Sequence, residues 1–295
     1  MKDVTRILFI SLSNIGDVIM TTPVMERLHQ LYPNAIMDIV ADQRSSILFE
    51  HCPYRGTIFH KDKKAGWRGI LKLLSTLRKT RYDLIVDLRT DGLAYLLRAR
   101  KRLTKWHARP EGSHSVQQHI AVIASINDGL IPHTRIWIND AIRHQAQSRL
   151  KKLPGSRRLA IGSGANWAPK IWPVEQFRAL IISLKDQFDS VILLGGPGDQ
   201  ARCQQLAQDL PIPSINLAGQ TDLLEVAAIL ETCQLFIGND SGLGHIASAV
   251  DVATISVFGP GQPERYHPWG EKAKWIQNKE QDINAISANQ LPINL

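Results

Sequence analysis

Arg6-Ile7-Leu8-Phe9-Ile10-Ser11-Leu12-Ser13-Asn14-Ile15-Gly16-Asp17 opens on four consecutive apolar residues and then turns polar at a glycine-containing loop. A strand with one wet face alternates apolar and polar residues. An unbroken short apolar run instead marks a strand covered on both faces, as in a parallel sheet. Beyond Asp17, the residues Val18, Met20, Val24, Met25, Leu28 and Leu31 recur mostly at spacings of three and four, the stripe of a helix that Pro33-Asn34 brings to an end. Pro23 falls in the first turns of this helix, where proline is tolerated.

The same alternation continues outward. A second strand is expected over residues 36–41, an amphipathic helix around 70–77 and a third strand over 84–88. Residues 127–154 hold a strand-like Arg135-Ile136-Trp137-Ile138, a polar helix and the breakers that lead into Pro154-Gly155-Ser156. This is the passage between two halves, which puts the domains at residues 1–154 and 155–295. The pattern then restarts, with strands at 159–162, 191–194, 235–237 and 254–258 and helices at 174–185, 223–230 and 243–249. Strand and helix alternating in this way build βαβ units with right-handed crossovers, so the fold class is α/β with two Rossmann-like, doubly wound domains. A chain of 295 residues with 44% hydrophobic content suits two such domains.

Composition narrows the classes of function. No window approaches the roughly 18 consecutive apolar residues of a membrane span, and the apolar start is too short for a signal peptide, so the protein is read as cytoplasmic. The three cysteines, Cys52, Cys203 and Cys233, are scattered without C-x-x-C spacing, and neither H-E-x-x-H nor D-x-D occurs. No disulfide framework and no metal site is expected. Lys and Arg number 35 against 27 Asp and Glu, a net charge of +8, which favours polyanionic partners. The basic residues are densest at Lys61, Lys63 and Lys64 and at Arg98, Arg100, Lys101, Arg102 and Lys105. They form either a solvated face or an electropositive flank for an anionic acceptor. Nucleic acid is disfavoured, because no aromatic residues interleave with the cluster as a stacking platform.

In open α/β sheets ligands bind beyond the carboxyl ends of the strands, so the loops at 162–169, 195–198, 238–244 and 259–263 should line one crevice. Gly238-Asn239-Asp240-Ser241-Gly242-Leu243-Gly244-His245 joins a buried strand to an apolar helix. Free amides at that helix start, with glycines allowing close approach, suit a phosphate; Ser241 adds a hydroxyl, and His245 is either a further donor or a packed histidine. Lys170, at the end of the long loop Gly162-Ser163-Gly164-Ala165-Asn166-Trp167-Ala168-Pro169-Lys170, is either an exposed lysine or the cation that offsets a diphosphate. Asp17 is either a first-turn charge that complements the helix or a general base for an attacking hydroxyl. G-x-G-x-x-G, G-K-[ST] and G-x-S-x-G are all incomplete or missing, which weakens dehydrogenase, ATPase and hydrolase readings.

Three segments together resemble glycosyltransferase family 9, the lipopolysaccharide heptosyltransferases: Ser13-Asn14-Ile15-Gly16-Asp17 with Thr22-Pro23, Lys170-Ile171-Trp172-Pro173, and residues 238–247. The resemblance runs from about Arg6 to Gly270. It implies the GT-B fold, with two Rossmann-like domains facing a cleft, the first binding acceptor and the second binding the sugar nucleotide, and with a C-terminal tail that packs back on the first. It implies inverting, metal-independent transfer of heptose from ADP-heptose to a lipopolysaccharide core sugar, with no cofactor.

By the same resemblance Asp17 is the general base, Lys170 offsets charge on departing ADP, and Asp240 lies near the transferred sugar. Ser241, Gly242, Gly244 and His245 cradle the pyrophosphate. Thr221 and Leu223 belong to the stretch that lines adenine, Asp199 approaches the ribose, and Asn14, Gly16, Ser163 and Asn166 complete the nucleotide-sugar set. Where many members carry D-L-Q-G this chain has Asp87-Leu88-Arg89-Thr90-Asp91-Gly92, in the acceptor half, and Arg89 and Arg98 are the candidate acceptor contacts. An anionic glycolipid presented at the inner membrane face is the expected partner, with peripheral membrane contact. An epimerase-like enzyme of similar fold, or a non-catalytic sugar-nucleotide binder, is the alternative.

Overall fold

The computed structural model describes residues 4–61, 66–89 and 92–293. Lys63 and Lys64 of the basic cluster, and Thr90 and Asp91, lie outside the described residues. The chain divides into two compact units, Met1–Trp137 and Ile138–Leu295.

The first unit contains β1 (Arg6–Ile10), α1 (Ile15–Leu31), β2 (Ile36–Ala41), β3 (Arg55–His60), α2 (Gly66–Leu77), β4 (Tyr82–Asp87), β5 (Ala99–Thr104) and α3 (Ser115–Ile120). Its strands form one parallel sheet in the order β3-β2-β1-β4-β5. Ile7, Leu8, Phe9 and Ile10 on the central strand are wholly buried, as their unbroken apolar run requires.

Pro23 sits deeper in α1 than the first turns, eight residues past Ile15. It has no N–H to offer the carbonyl of Ile19, and the Thr22 hydroxyl donates to that carbonyl instead, at 2.7 Å. The same hydroxyl accepts the amide of Arg135 at 2.9 Å. The strand expected over residues 135–138 is therefore not formed. The segment is buried at Ile136 and Trp137, but it docks on α1 through Arg135 and joins no sheet.

The second unit contains α4 (Asp140–Leu150), β6 (Arg158–Gly162), α5 (Val174–Ser183), β7 (Ser190–Leu194), α6 (Gln200–Ala207), β8 (Ser214–Asn216), α7 (Leu223–Leu230), β9 (Leu235–Asn239), α8 (Gly242–Ala249), β10 (Ala253–Val257) and β11 (Ala273–Ile276). Six parallel strands run in the order β11-β10-β9-β6-β7-β8. The division of the chain falls between Trp137 and Ile138, ahead of the expected 154/155, because α4 packs on α7. Arg143 pairs with Glu231 at 2.8 Å, and Arg149 pairs with the buried Glu225. Near the end of the chain, Ile283, Ile286, Ala288 and Leu291 join the core of the second unit, with Phe177 and Trp172.

All three cysteines are free and buried; burial pushes the Cys52 thiol up to about 11 and the Cys233 thiol up to about 12. Neither is a thiolate near neutral pH. No helix among the described residues is long and apolar enough to cross a membrane.

Candidate functional site

A parallel sheet whose strand order reverses leaves a gap between the two loops that leave the strands at the point of reversal. In the second unit β6 leads outward to β7 and β8, whereas β9 leads the other way to β10 and β11, so the reversal lies between β6 and β9. The loops that follow these two strands carry Lys170 and Asp240. Their side chains meet there, with Nζ and Oδ2 2.5 Å apart and both largely covered, at 24% and 13% exposure.

Asn239, wholly buried at the end of β9, organises this meeting. Its Nδ2 donates to the Ser163 carbonyl at 2.8 Å, and its Oδ1 accepts the Trp172 amide at 3.0 Å. One side chain thus holds both ends of the loop that carries Lys170. Gly238 and Gly162 let the two strands close on each other: a Cβ on Gly238 would lie 2.9 Å from the Gly162 carbonyl, and one on either glycine would lie 2.7 Å from the Phe236 ring. The loop after β10 joins from the other side, where Gly259 approaches the Pro169 carbonyl so closely that a Cβ would lie 2.6 Å from it.

Beyond Asp240 the chain enters α8 through Ser241, in extended conformation. The Ser241 hydroxyl is buried and makes no hydrogen bond, and it caps no amide of the helix. A covered hydroxyl left unpaired at the start of a helix is a donor in want of an acceptor, which a phosphate oxygen would supply. Gly242 opens the helix, while Gly244 and His245 are buried within it.

The other expected residues distribute unevenly. Asp199 lies over the Lys170 loop; a Cβ on Gly164 would collide with its carboxylate, which accepts the Gly196 amide at 2.9 Å and pairs with Arg202 at 3.2 Å. Thr221 follows the turn at Gly219, whose φ of +68° suits glycine, and its buried hydroxyl is also unpaired. Asp222 caps α7 by accepting the Glu225 amide at 2.8 Å, and Leu223, half-buried, begins that helix. Asn166 is exposed on the Lys170 loop. Ser163 is wholly buried, and its Oγ faces the Cys203 thiol at 3.4 Å. Its carbonyl turns toward the loop and accepts from Asn239.

In the first unit the order reverses between β1 and β4. Asp17, in the first turn of α1, accepts a hydrogen bond from the Asn14 side chain at 2.9 Å, with Gly16 between them. Arg89, just past β4, donates to the Ser13 hydroxyl at 2.6 Å, so it stands beside the loop that carries Asp17. Arg98 does not. It precedes β5, whose first residue pairs with Tyr82, which places it at the amino end of the sheet, a strand's length from Asp17. Part of its basic neighbourhood is also structurally committed, as Arg100 pairs with Asp83 and Arg102 donates to the carbonyls of Ala94 and Leu97.

Asn239 and Arg149 escaped the sequence reading. Arg149 donates to the Gln220 carbonyl at 2.9 Å and so steadies the loop bearing Thr221. A polar residue closing an otherwise apolar strand was the available signal for Asn239; Arg149 offered none. Among the described residues no group of three or more His, Cys, Asp or Glu side chains is arranged to hold a metal.

The sequence model of glycosyltransferase family 9 (heptosyltransferase) matches residues 92–291. Lipopolysaccharide heptosyltransferase 3 of Escherichia coli is 29% identical over 284 residues, covering 86% of this chain and 83% of that protein. Among solved structures, the family 9 glycosyl transferase from Veillonella parvula superposes with a TM-score of 0.87 at 22% identity, covering 98% of this chain and 95% of that one. The E. coli heptosyltransferase WaaC with ADP superposes with a TM-score of 0.78 at 20% identity, covering 97% of each. These likenesses establish the two-domain GT-B architecture.

Proposed function

Taking as premise that the chain belongs to glycosyltransferase family 9, we propose that it transfers heptose from ADP-heptose to a lipopolysaccharide core sugar, with inversion and without a metal. The observation that carries this reading is the Lys170–Asp240 pair at the strand reversal of the second unit, beside the unpaired Ser241 hydroxyl at the start of α8. A diphosphate placed there meets a cation, a hydroxyl and helix amides. An ammonium has three N–H donors, so Lys170 can keep Asp240 and still donate to phosphate. The relative solved with ADP supports the choice of nucleotide.

In the proposed reaction Asp17 takes the proton from an acceptor hydroxyl, and the oxygen attacks the anomeric carbon from the face opposite the diphosphate. The bond from that carbon to the diphosphate oxygen breaks, and ADP leaves with its charge met by Lys170 and the start of α8. The second unit binds the sugar nucleotide, with Asp199 toward the ribose and Thr221 and Leu223 toward adenine. The first unit binds the acceptor, with Arg89 beside Asp17 as its anionic contact. An acceptor borne on lipid places the enzyme at the cytoplasmic face of the membrane.

The test is ADP release from ADP-heptose in the presence of EDTA, with and without a lipid A acceptor bearing the first core sugars. Release that depends on the acceptor is the expected result. Release of free sugar or an isomer without acceptor would instead mark an epimerase-like enzyme, and tight ADP binding with no release would mark a binding protein.

A further inference from the structure

The crossover helix of the first unit carries more apolar surface than its sheet covers. In α2, Leu73, Leu74 and Leu77 are buried against the sheet with Leu8, Ile10 and Val40. The apolar stripe does not stop there: Trp67, Ile70 and Leu71 continue it and are 67%, 40% and 52% exposed. A surface helix in water normally turns polar residues outward at such positions. The charge around the stripe is one-sided, because residues 66–81 include five Lys or Arg and no Asp or Glu. None of the five has a carboxylate partner among the described residues.

Two of these cations, Arg68 and Lys72, line a cavity of about 380 Å³ between α2 and the end of β3, with His60 beside them and Phe59 and Leu73 as its apolar wall. A cationic recess next to exposed tryptophan and aliphatic side chains has the makeup of a site for an anionic lipid headgroup, whose phosphate meets the cations while its chains meet the apolar residues. The recess adjoins the carboxyl end of β3, and Asp17 follows the carboxyl end of β1, so both lie at one end of the same parallel sheet.

We propose that α2 is the surface by which this protein docks on an anionic lipid bilayer, with Trp67, Ile70 and Leu71 entering the interface and Arg68 and Lys72 holding lipid phosphate. The proposal deepens the reading of a lipid-borne acceptor. It is tested on vesicles that carry no acceptor, which keeps its failure apart from failure of that reading.

The full chain is sedimented with vesicles of phosphatidylcholine alone and of phosphatidylcholine mixed with phosphatidylglycerol. Binding to the mixed vesicles only, weakened by salt, is expected. Arg68→Glu with Lys72→Glu should lower partition at least about tenfold, and Trp67→Ser with Leu71→Ser should lower it by a similar factor. All four positions are outside the second unit, so unchanged ADP affinity and an unchanged melting temperature show that the variants are folded. Equal binding to neutral vesicles, or variants that bind as the parent does, would overturn the proposal. So would a dimer in solution that the same substitutions dissolve while vesicle binding is absent.

Discussion

At the strand reversal of the first unit the candidate base rests on little: Asp17 accepts one hydrogen bond from an exposed Asn14, and Arg89 reaches across from the next loop to Ser13. At the reversal of the second unit the loops are tied from inside, with Asn239 buried beneath and Lys170 and Asp240 joined above it. The same topology thus carries a lightly held carboxylate in one half and a pre-built cradle in the other. On the proposed function the contrast is chemical. A diphosphate is the same in every turnover and rewards a fixed set of donors, whereas a base must reach a hydroxyl on a large glycolipid that arrives separately.

The contrast can be broken at its loose end first. Asp17→Asn keeps the hydrogen bond from Asn14 but removes the base, and turnover should fall about 10²- to 10⁴-fold with ADP affinity unchanged. Single-turnover kinetics beside calorimetry decide it, and a matching loss of affinity would move Asp17 from catalysis to binding. In the cradle, Lys170→Ala should weaken ADP about ten- to a hundredfold, the cost of a charge-assisted hydrogen bond with Asp240 left unpaired. Calorimetry that finds ADP affinity intact would remove Lys170 from the diphosphate site. The smallest effect concerns the tie itself. Asn239→Ala leaves the Ser163 carbonyl and the Trp172 amide without partners and should cost about 1–3 kcal/mol in denaturant unfolding. Unaltered stability would mean that the loops hold without it.

The strands legible in the sequence share a position. Of the eight expected strands, seven correspond to β1, β2, β4, β6, β7, β9 and β10, and each of these seven has a neighbour on both sides. The four that went unseen, β3, β5, β8 and β11, are the edges of the two sheets. An interior strand of a parallel sheet is covered on both faces and reads as an apolar run. An edge strand such as Ala99–Thr104, with Arg100, Lys101 and Arg102 in a row, meets water and reads as loop. The false strand at 135–138 has the converse origin, as it is buried by docking on α1 without a ladder.

At the candidate site, glycines and charged residues at loop positions were visible because few structural roles call for them. The burial of Ser163 was not visible, because a hydroxyl in a loop does not reveal which way it faces. Asn239 was passed over because burial decides its role, and the sequence does not show burial of a polar side chain.

The indole of Trp172, two residues after Lys170, donates to the carbonyl of Ile286 at 2.8 Å, across 114 positions of chain. Considered as a sequence of events during synthesis, this contact makes the cradle a late structure. The segment bearing Lys170 emerges well ahead of Ile286, and its anchoring tryptophan has no acceptor until the ribosome has added the 114 residues that follow it, and closing so long a loop carries its own entropic cost. A nascent chain paused before Ile286 would display every residue of the cradle without the lock that holds them.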